Sequence, residues 1–171
     1  MSVQIPAHWQ VQNKEATEEI MNEGAAAEAG KDTNLKIAMD LSKLKTVNLL
    51  TVFKYPPGSV SEYNNNFMLV AERLLFFQNV PDGKEYLTRM KNFMSKGQMK
   101  FDFIGGITPV SLGGRDFYVQ RTSIKLGKIV IYQNYYAYVS KGYSLDIVMS
   151  WRNNSGLKEL EDVLKTIKFE K

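Results

Sequence analysis

From Gly113 onward the chain alternates apolar and polar positions in three runs and then changes period. Phe117–Ile124, Lys128–Val139 and Tyr143–Trp151 are rich in β-branched and aromatic residues, which suit a pleated, half-buried surface. Gly, Lys or Ser stands at the breaks. Gly156–Ile167 instead sets Leu157, Leu160, Leu164 and Ile167 at helical spacing, so three strands and a closing helix packed on a sheet face are predicted. Side chains alternate across a strand with period two. On that rule the odd positions, from Phe117 and Val119 through Ile131 and Tyr135 to Ile147, Met149 and Trp151, are the expected core set. The even positions Tyr118, Gln120, Thr122, Tyr132, Asn134, Tyr136 and Tyr138 are expected to share the other face.

Upstream, Val3–Ile5 reads as a short strand ending at Pro6, with Trp9 just beyond. Lys14 to about Ala29 has helix formers and a thin apolar face (Ala16, Ile20, Met21, Ala27), which predicts a helix lying shallowly on the surface, stopped at Gly30. Asn34–Lys43, with Leu35, Ala38, Met39 and Leu41 apolar, predicts a second. Val47–Tyr55 reads as a strand closed by Pro56-Pro57-Gly58, and Asn64-Asn65-Asn66 as a loop. Phe67–Leu75 fits a helix or a strand; the preceding turn cluster and the aromatics that follow favour a strand. Asp82–Lys96 is the clearest helix: Asp82 can cap it, Glu85 can complete a capping box, and Tyr86, Met90, Phe93 and Met94 form a stripe that ends at Gly97. Met99–Ile104 and Ile107–Leu112 are read as short strands joined by a hairpin turn at Gly105-Gly106, with a second turn at Gly113-Gly114.

At 171 residues the chain fits a single domain, 1–171, large enough to bury a core. No apolar run approaches the length of a transmembrane helix. A net charge of +4 is mild, but its distribution is uneven: Glu15, Glu18, Glu19, Glu23 and Glu28 make the start acidic, and a series from Lys84 and Arg89 to Lys125 and Lys128 makes the middle basic. Solvated faces explain both segments better than a steering patch does. The absence of cysteine excludes disulfides, thiol nucleophiles and thiolate metal sites. Met1 passes almost directly into Val3-Gln4-Ile5-Pro6, without a signal peptide. The expectation is an extracytoplasmic domain, periplasmic or lipid-anchored, if a native leader was removed, and a cytoplasmic one otherwise.

Ile5-Pro6 followed by Trp9 resembles the P-x-x-W start of PsbP-like and DcrB-like domains. Gly142-Tyr143 with alternating Leu145, Ile147 and Met149 resembles the family's penultimate strand. Leu160-x-x-Val163-Leu164-x-x-Ile167-x-Phe169 resembles its closing helix and terminal strand. The resemblance spans essentially the whole chain. It implies an α+β fold, an α/β/α sandwich around a mostly antiparallel sheet. It also implies a binding role, since the family includes the photosystem II extrinsic subunit, a Ran-binding nuclear-import factor, bacterial lipoproteins and chaperones of type VI secretion effectors. It supplies no catalytic residues to carry over.

The residues themselves offer little chemistry. His8, the one histidine, lies between a Pro and a Trp with no nucleophile motif to serve. There is no D-x-D-x-D-G-like calcium loop, and neither glycine pair has phosphate-loop spacing. Lys141-Gly142-Tyr143 begins like the RNA-recognition octamer, but Ser144, Leu145, Asp146 and Val148 stand where it needs a small residue and aromatics. No catalytic, metal or cofactor residues are therefore assigned, and the chain is read as no enzyme. The one candidate surface is the even face, with Tyr118, Gln120, Tyr132, Asn134, Tyr136 and Tyr138 as partner-binding residues, because Tyr offers large contact area at low entropic cost; packing under helices is the plainer explanation of the same rings. The leading reading is a non-catalytic binding or accessory domain with a protein partner, as the exported part of a bacterial lipoprotein. Single-stranded nucleic-acid binding through the tyrosines and an effector-chaperone role are the alternatives. A small-ligand carrier or enzyme with a pocket between sheet and helices ranks last.

Overall fold

The computed structural model describes residues 1–59, 63–74 and 80–170, and for Leu41 the backbone alone. In chain order the elements are β1 (Gln10–Val11), α1 (Lys14–Ala29), α2 (Thr33–Lys43), β2 (Thr46–Phe53), β3 (Asn66–Arg73), α3 (Gly83–Met94), β4 (Phe101–Leu112), β5 (Arg115–Leu126), β6 (Ile129–Ser140), β7 (Tyr143–Trp151) and α4 (Asn154–Lys165). The strands make one sheet in the order β1-β2-β3-β7-β6-β5-β4, and each described pairing is antiparallel. The fold is α+β. β3 forms as expected over Asn66–Arg73, while Leu75 and the aromatics after it lie outside the described residues.

Three two-residue turns build the β4–β7 meander. Gly113-Gly114 (φ +55° and +78°) and Lys141-Gly142 (φ +51° and +77°) take left-handed backbone at both positions, and the third turn has Gly127 at +61°. Such turns match the twist of the strands they join. They also pair residue i with i+3: Leu112 with Arg115, Leu126 with Ile129, Ser140 with Tyr143. An odd offset exchanges parity between neighbouring strands. Val119 therefore stands opposite Tyr136, and Tyr136 opposite Ile147.

The expected odd core face is corrected by this register. One face combines odd residues of β3, β5 and β7 with even residues of β6, and α4 packs on it. Phe67, Phe117, Val119, Tyr136, Ile147 and Met149 meet Leu160, Val163 and Leu164 there, and Trp9 joins them from the N-terminal segment. Ile131 and Tyr135 belong to the other face, which α3 covers. Gly83 at the start of α3 approaches so closely that a Cβ would stand 2.1 Å from the Ala137 carbonyl oxygen and 3.4 Å from the Tyr118 ring.

Two other expectations change. Gly105-Gly106 is no hairpin turn: β4 runs unbroken from Phe101 to Leu112, and its register against β5 shifts between Ile104 and Thr108. Gly105, at φ +65°, accommodates this bulge within an edge strand. Val3–Ile5 forms no strand; a single bridge joins Ser2 to Lys168, and Gln4 N–H donates to Thr166 Oγ1 at 2.9 Å. Asp82 does cap α3, its Oδ1 accepting the Glu85 amide at 2.9 Å, but the Glu85 side chain turns to Arg89 at 2.8 Å rather than back to Asp82.

Candidate functional site

The six partner-face residues of the sequence do not come together. Tyr118 and Gln120 lie on the α3 face; Tyr132, Asn134, Tyr136 and Tyr138 lie on the α4 face. Gln120 is fully buried, its Nε2 donating to the Arg121 carbonyl at 2.8 Å. Tyr136 is 6% exposed and its hydroxyl accepts from Asn134 Nδ2 at 3.2 Å, inside the α4 core. Tyr138 packs on Phe117 at 5.4 Å between ring centroids. Tyr132 is the exposed member, stacked on Trp151 at 6.1 Å. A shared tyrosine platform, as a nucleic-acid surface would use, is divided by the sheet.

The basic residues of the middle segment are dispersed as well. Lys91 sits over the Phe103 ring, Arg115 over the Phe169 ring, and Arg121 donates to Thr108 Oγ1. His8 is exposed. Among the described residues no group of three or more His, Cys, Asp or Glu is placed to hold a metal.

A pocket of about 670 Å³ opens instead on the α3 face of the sheet. Met21 and Ala25 of α1, Ala38 and Met39 of α2, and Met90 and Phe93 of α3 form its apolar walls. Thr46, Val70 and Glu72 form its sheet side; Ser42 and the Tyr86 ring complete it, and Lys43, Arg89 and Lys96 border it.

Local chemistry sets these walls. Asn13 Oδ1 caps α1 by accepting the Ala16 amide at 2.8 Å, and Asp32 caps α2 through the Leu35 amide at 3.0 Å. Lys43 Nζ reaches back to Asn22 Oδ1 at 2.8 Å and so ties α2 to α1. Glu28, buried near the end of α1, binds the segment after α3: its carbonyl accepts from Gln98 N–H at 2.8 Å and its Oε2 from Met99 N–H at 3.2 Å. Burial raises the Glu28 carboxyl above its ordinary range, against the opposing Met99 hydrogen bond.

At the base lies a polar cluster inside an apolar frame. The Tyr86 hydroxyl is 2.8 Å from Glu72 Oε2 and 3.0 Å from Asp146 Oδ2, and Ser144 Oγ donates to the same Asp146 oxygen at 2.8 Å. Ser42 Oγ lies 3.5 Å from Glu72 Oε1. Glu72 is 7% exposed. Asp146 retains some exposure as a residue, but its Oδ1 is enclosed and has no hydrogen-bond partner among the described residues. Burial is the main cause that pushes Asp146 up to about 7, with the Glu72 charge adding to it and the Ser144 and Tyr86 bonds opposing. Burial and then the two carboxylates also raise Tyr86 well above its usual range, so its hydroxyl keeps its proton.

Tyr86 is the donor in both contacts, so its proton is shared between Glu72 Oε2 and Asp146 Oδ2, and Ser144 Oγ supplies a second donor to the latter. Glu72 is the carboxylate of this pair that lines the pocket. Sequence reading treated Tyr86, Met90 and Phe93 as a buried stripe and passed over Glu72 and Asp146. Their signal was a carboxylate set among the apolar residues of each of two strands.

No family model matches the chain, and no curated protein sequence matches it. Its fold is similar to solved structures. LpqN of Mycobacterium tuberculosis, described as involved in cell envelope biogenesis, superposes with a TM-score of 0.51 at 10% identity, over 96% of this chain and 79% of that one. PA94 of Pseudomonas aeruginosa, a protein of unknown function, gives a TM-score of 0.48 at 12% identity, over 74% of this chain and 82% of that one. The likeness to LpqN concerns the fold alone. Among the described residues no helix is long and apolar enough to cross a membrane.

Proposed function

We propose that this chain is a non-catalytic accessory domain that works by binding, and that its site is the pocket between α1, α2 and α3. The observation that carries this is the pocket itself: about 670 Å³, with methionine, alanine and phenylalanine side chains in its walls and polar groups, Glu72 and Tyr86 among them, in the same lining. That is the size and composition of small-molecule sites, and flexible methionines adapt to ligands of varied shape. With the tyrosine surface divided, the pocket takes the binding role that a protein-partner face had on sequence grounds.

The PsbP-like and DcrB-like resemblance, with its α/β/α layering, belongs to the same proposal; helices on both faces of an antiparallel sheet support it. The description of LpqN supports work at the cell envelope, and within the same proposal the chain is the exported part of a bacterial lipoprotein. The test uses N-phenyl-1-naphthylamine, an apolar dye that brightens on leaving water. Saturable binding with one site per chain is expected, abolished by Ala25→Trp, which fills the pocket from α1, in a variant that still melts cooperatively. A dye signal that does not saturate, or that Ala25→Trp leaves unchanged, would remove the pocket from the proposal.

A further inference from the structure

The pocket holds a contradiction that a ligand would resolve. Glu72 is 7% exposed, yet no ion pair to it exists among the described residues; its contacts are the Tyr86 hydroxyl at 2.8 Å and the Ser42 hydroxyl at 3.5 Å. A buried carboxylate held by neutral hydroxyls is under-compensated, because enclosing a charge is costly unless an opposite charge meets it. The neighbouring Asp146 brings Glu72 no cation, and its own enclosed Oδ1 has no donor among the described residues.

The cations nearby do not meet this need. Arg89 Nε is held by Glu85 Oε1 at 2.8 Å, and Lys43 Nζ by Asn22 at 2.8 Å and Asp40 at 3.3 Å. Lys96 is exposed beyond the end of α3. Lys43 and Arg89 are about one-third exposed and line the same pocket as Glu72, which is its one carboxylate and lies among apolar side chains.

From this charge pattern we propose that the pocket binds a small apolar amine, its ammonium group on Glu72 and its hydrocarbon body between Met39, Met90 and Phe93. The inference deepens the proposed function and rests on it. A primary ammonium suits the place: it supplies the missing charge, and its three donors can engage the free lone pairs of Glu72. An alcohol of the same length would fill the same walls without the charge. A carboxylate of that length would meet Glu72 with like charge, unless it reversed and set its head among the bordering cations.

Three probes separate these outcomes in the unsubstituted chain: n-octylammonium, n-octanol and n-octanoate, each competing with N-phenyl-1-naphthylamine. A charge-assisted contact at a buried site predicts that octylammonium displaces the dye at a concentration about tenfold or more below octanol. Glu72→Gln, checked for folding by its melting curve, should bring octylammonium to the octanol level and leave octanol unchanged. Equal potency of octylammonium and octanol, or stronger displacement by octanoate, overturns the amine assignment while dye binding keeps the pocket as a site. If the dye itself fails to bind, the proposed function falls, and this inference with it.

Discussion

Gly83 meets the backbone of Ala137: a Cβ there would stand 2.1 Å from the Ala137 carbonyl oxygen. The contact seats the first turn of α3 directly on β6, and three residues later the same helix carries Tyr86 to the carboxylates of β3 and β7. Backbone cannot yield as a flexible side-chain end can. Gly83→Ala should therefore cost about 1–3 kcal/mol or more, in the manner of an overpacked core, and lower the melting temperature by several degrees. Gly24, inside α1 with nothing within 4 Å of its Cβ position, is the control. Gly24→Ala should stabilise the protein by about 0.5–1 kcal/mol, since alanine favours a helix interior. Urea melts of both variants test the pair; equal and small effects would mean that α3 is not seated on Ala137.

Asp146 makes stability depend on pH in a definite direction. Its folded-state value, about 7, lies above its ordinary value of 3.8. The folded protein thus holds this proton more tightly than the unfolded chain. Below the ordinary value both states are protonated and there is no penalty. Between the two values the penalty grows as pH rises, and above about 7 it is complete, about 4 kcal/mol in magnitude. Asp146→Asn keeps an oxygen for Ser144 and Tyr86 and removes the titration. It should stabilise the protein at pH 8 by roughly 2–4 kcal/mol, have little effect at pH 4, and flatten the curve between. Denaturant melts across this range check the prediction; a variant less stable than the parent at pH 8 would sink it.

Much of the scaffold was legible. The caps at Asp82 and Gly30 and the strand breaks at Lys141-Gly142 and Gly113-Gly114 act through neighbours in sequence, so local chemistry suffices to place them. The face assignment failed for a reason also present in the sequence. A two-residue turn pairs i with i+3, so residue parity has to be exchanged at every hairpin; carrying one parity through three strands put Tyr136 with Tyr118, although Tyr136 stands opposite Val119. Gly105-Gly106 misled differently, because a glycine pair suits a bulge as well as a turn. A pocket between sheet and helices ranked last among the sequence readings, and none of its residues was legible as part of it. Tyr86 and Asp146 are 60 residues apart, and only the placing of β3 beside β7 brings Glu72 to them.

The corrected register gives the tyrosines of β6 unequal roles that substitution can separate. Tyr136 is 6% exposed within the α4 core, and Asn134 Nδ2, in a residue itself 7% exposed, bonds to its hydroxyl at 3.2 Å. Tyr136→Ala opens a large cavity and should cost about 3–5 kcal/mol. Tyr136→Phe keeps the ring but strips Asn134 of its partner, at about 1 kcal/mol. Tyr132, 38% exposed, contributes mainly its stack on Trp151, so Tyr132→Ala should cost less than about 1 kcal/mol. Because α4 and the pocket lie on opposite faces of the sheet, Tyr136→Phe and Tyr132→Ala should leave dye binding unchanged. Melting curves and dye titrations on the same samples decide this: lost dye binding in a stably folded Tyr132→Ala variant would return the working surface to the tyrosines.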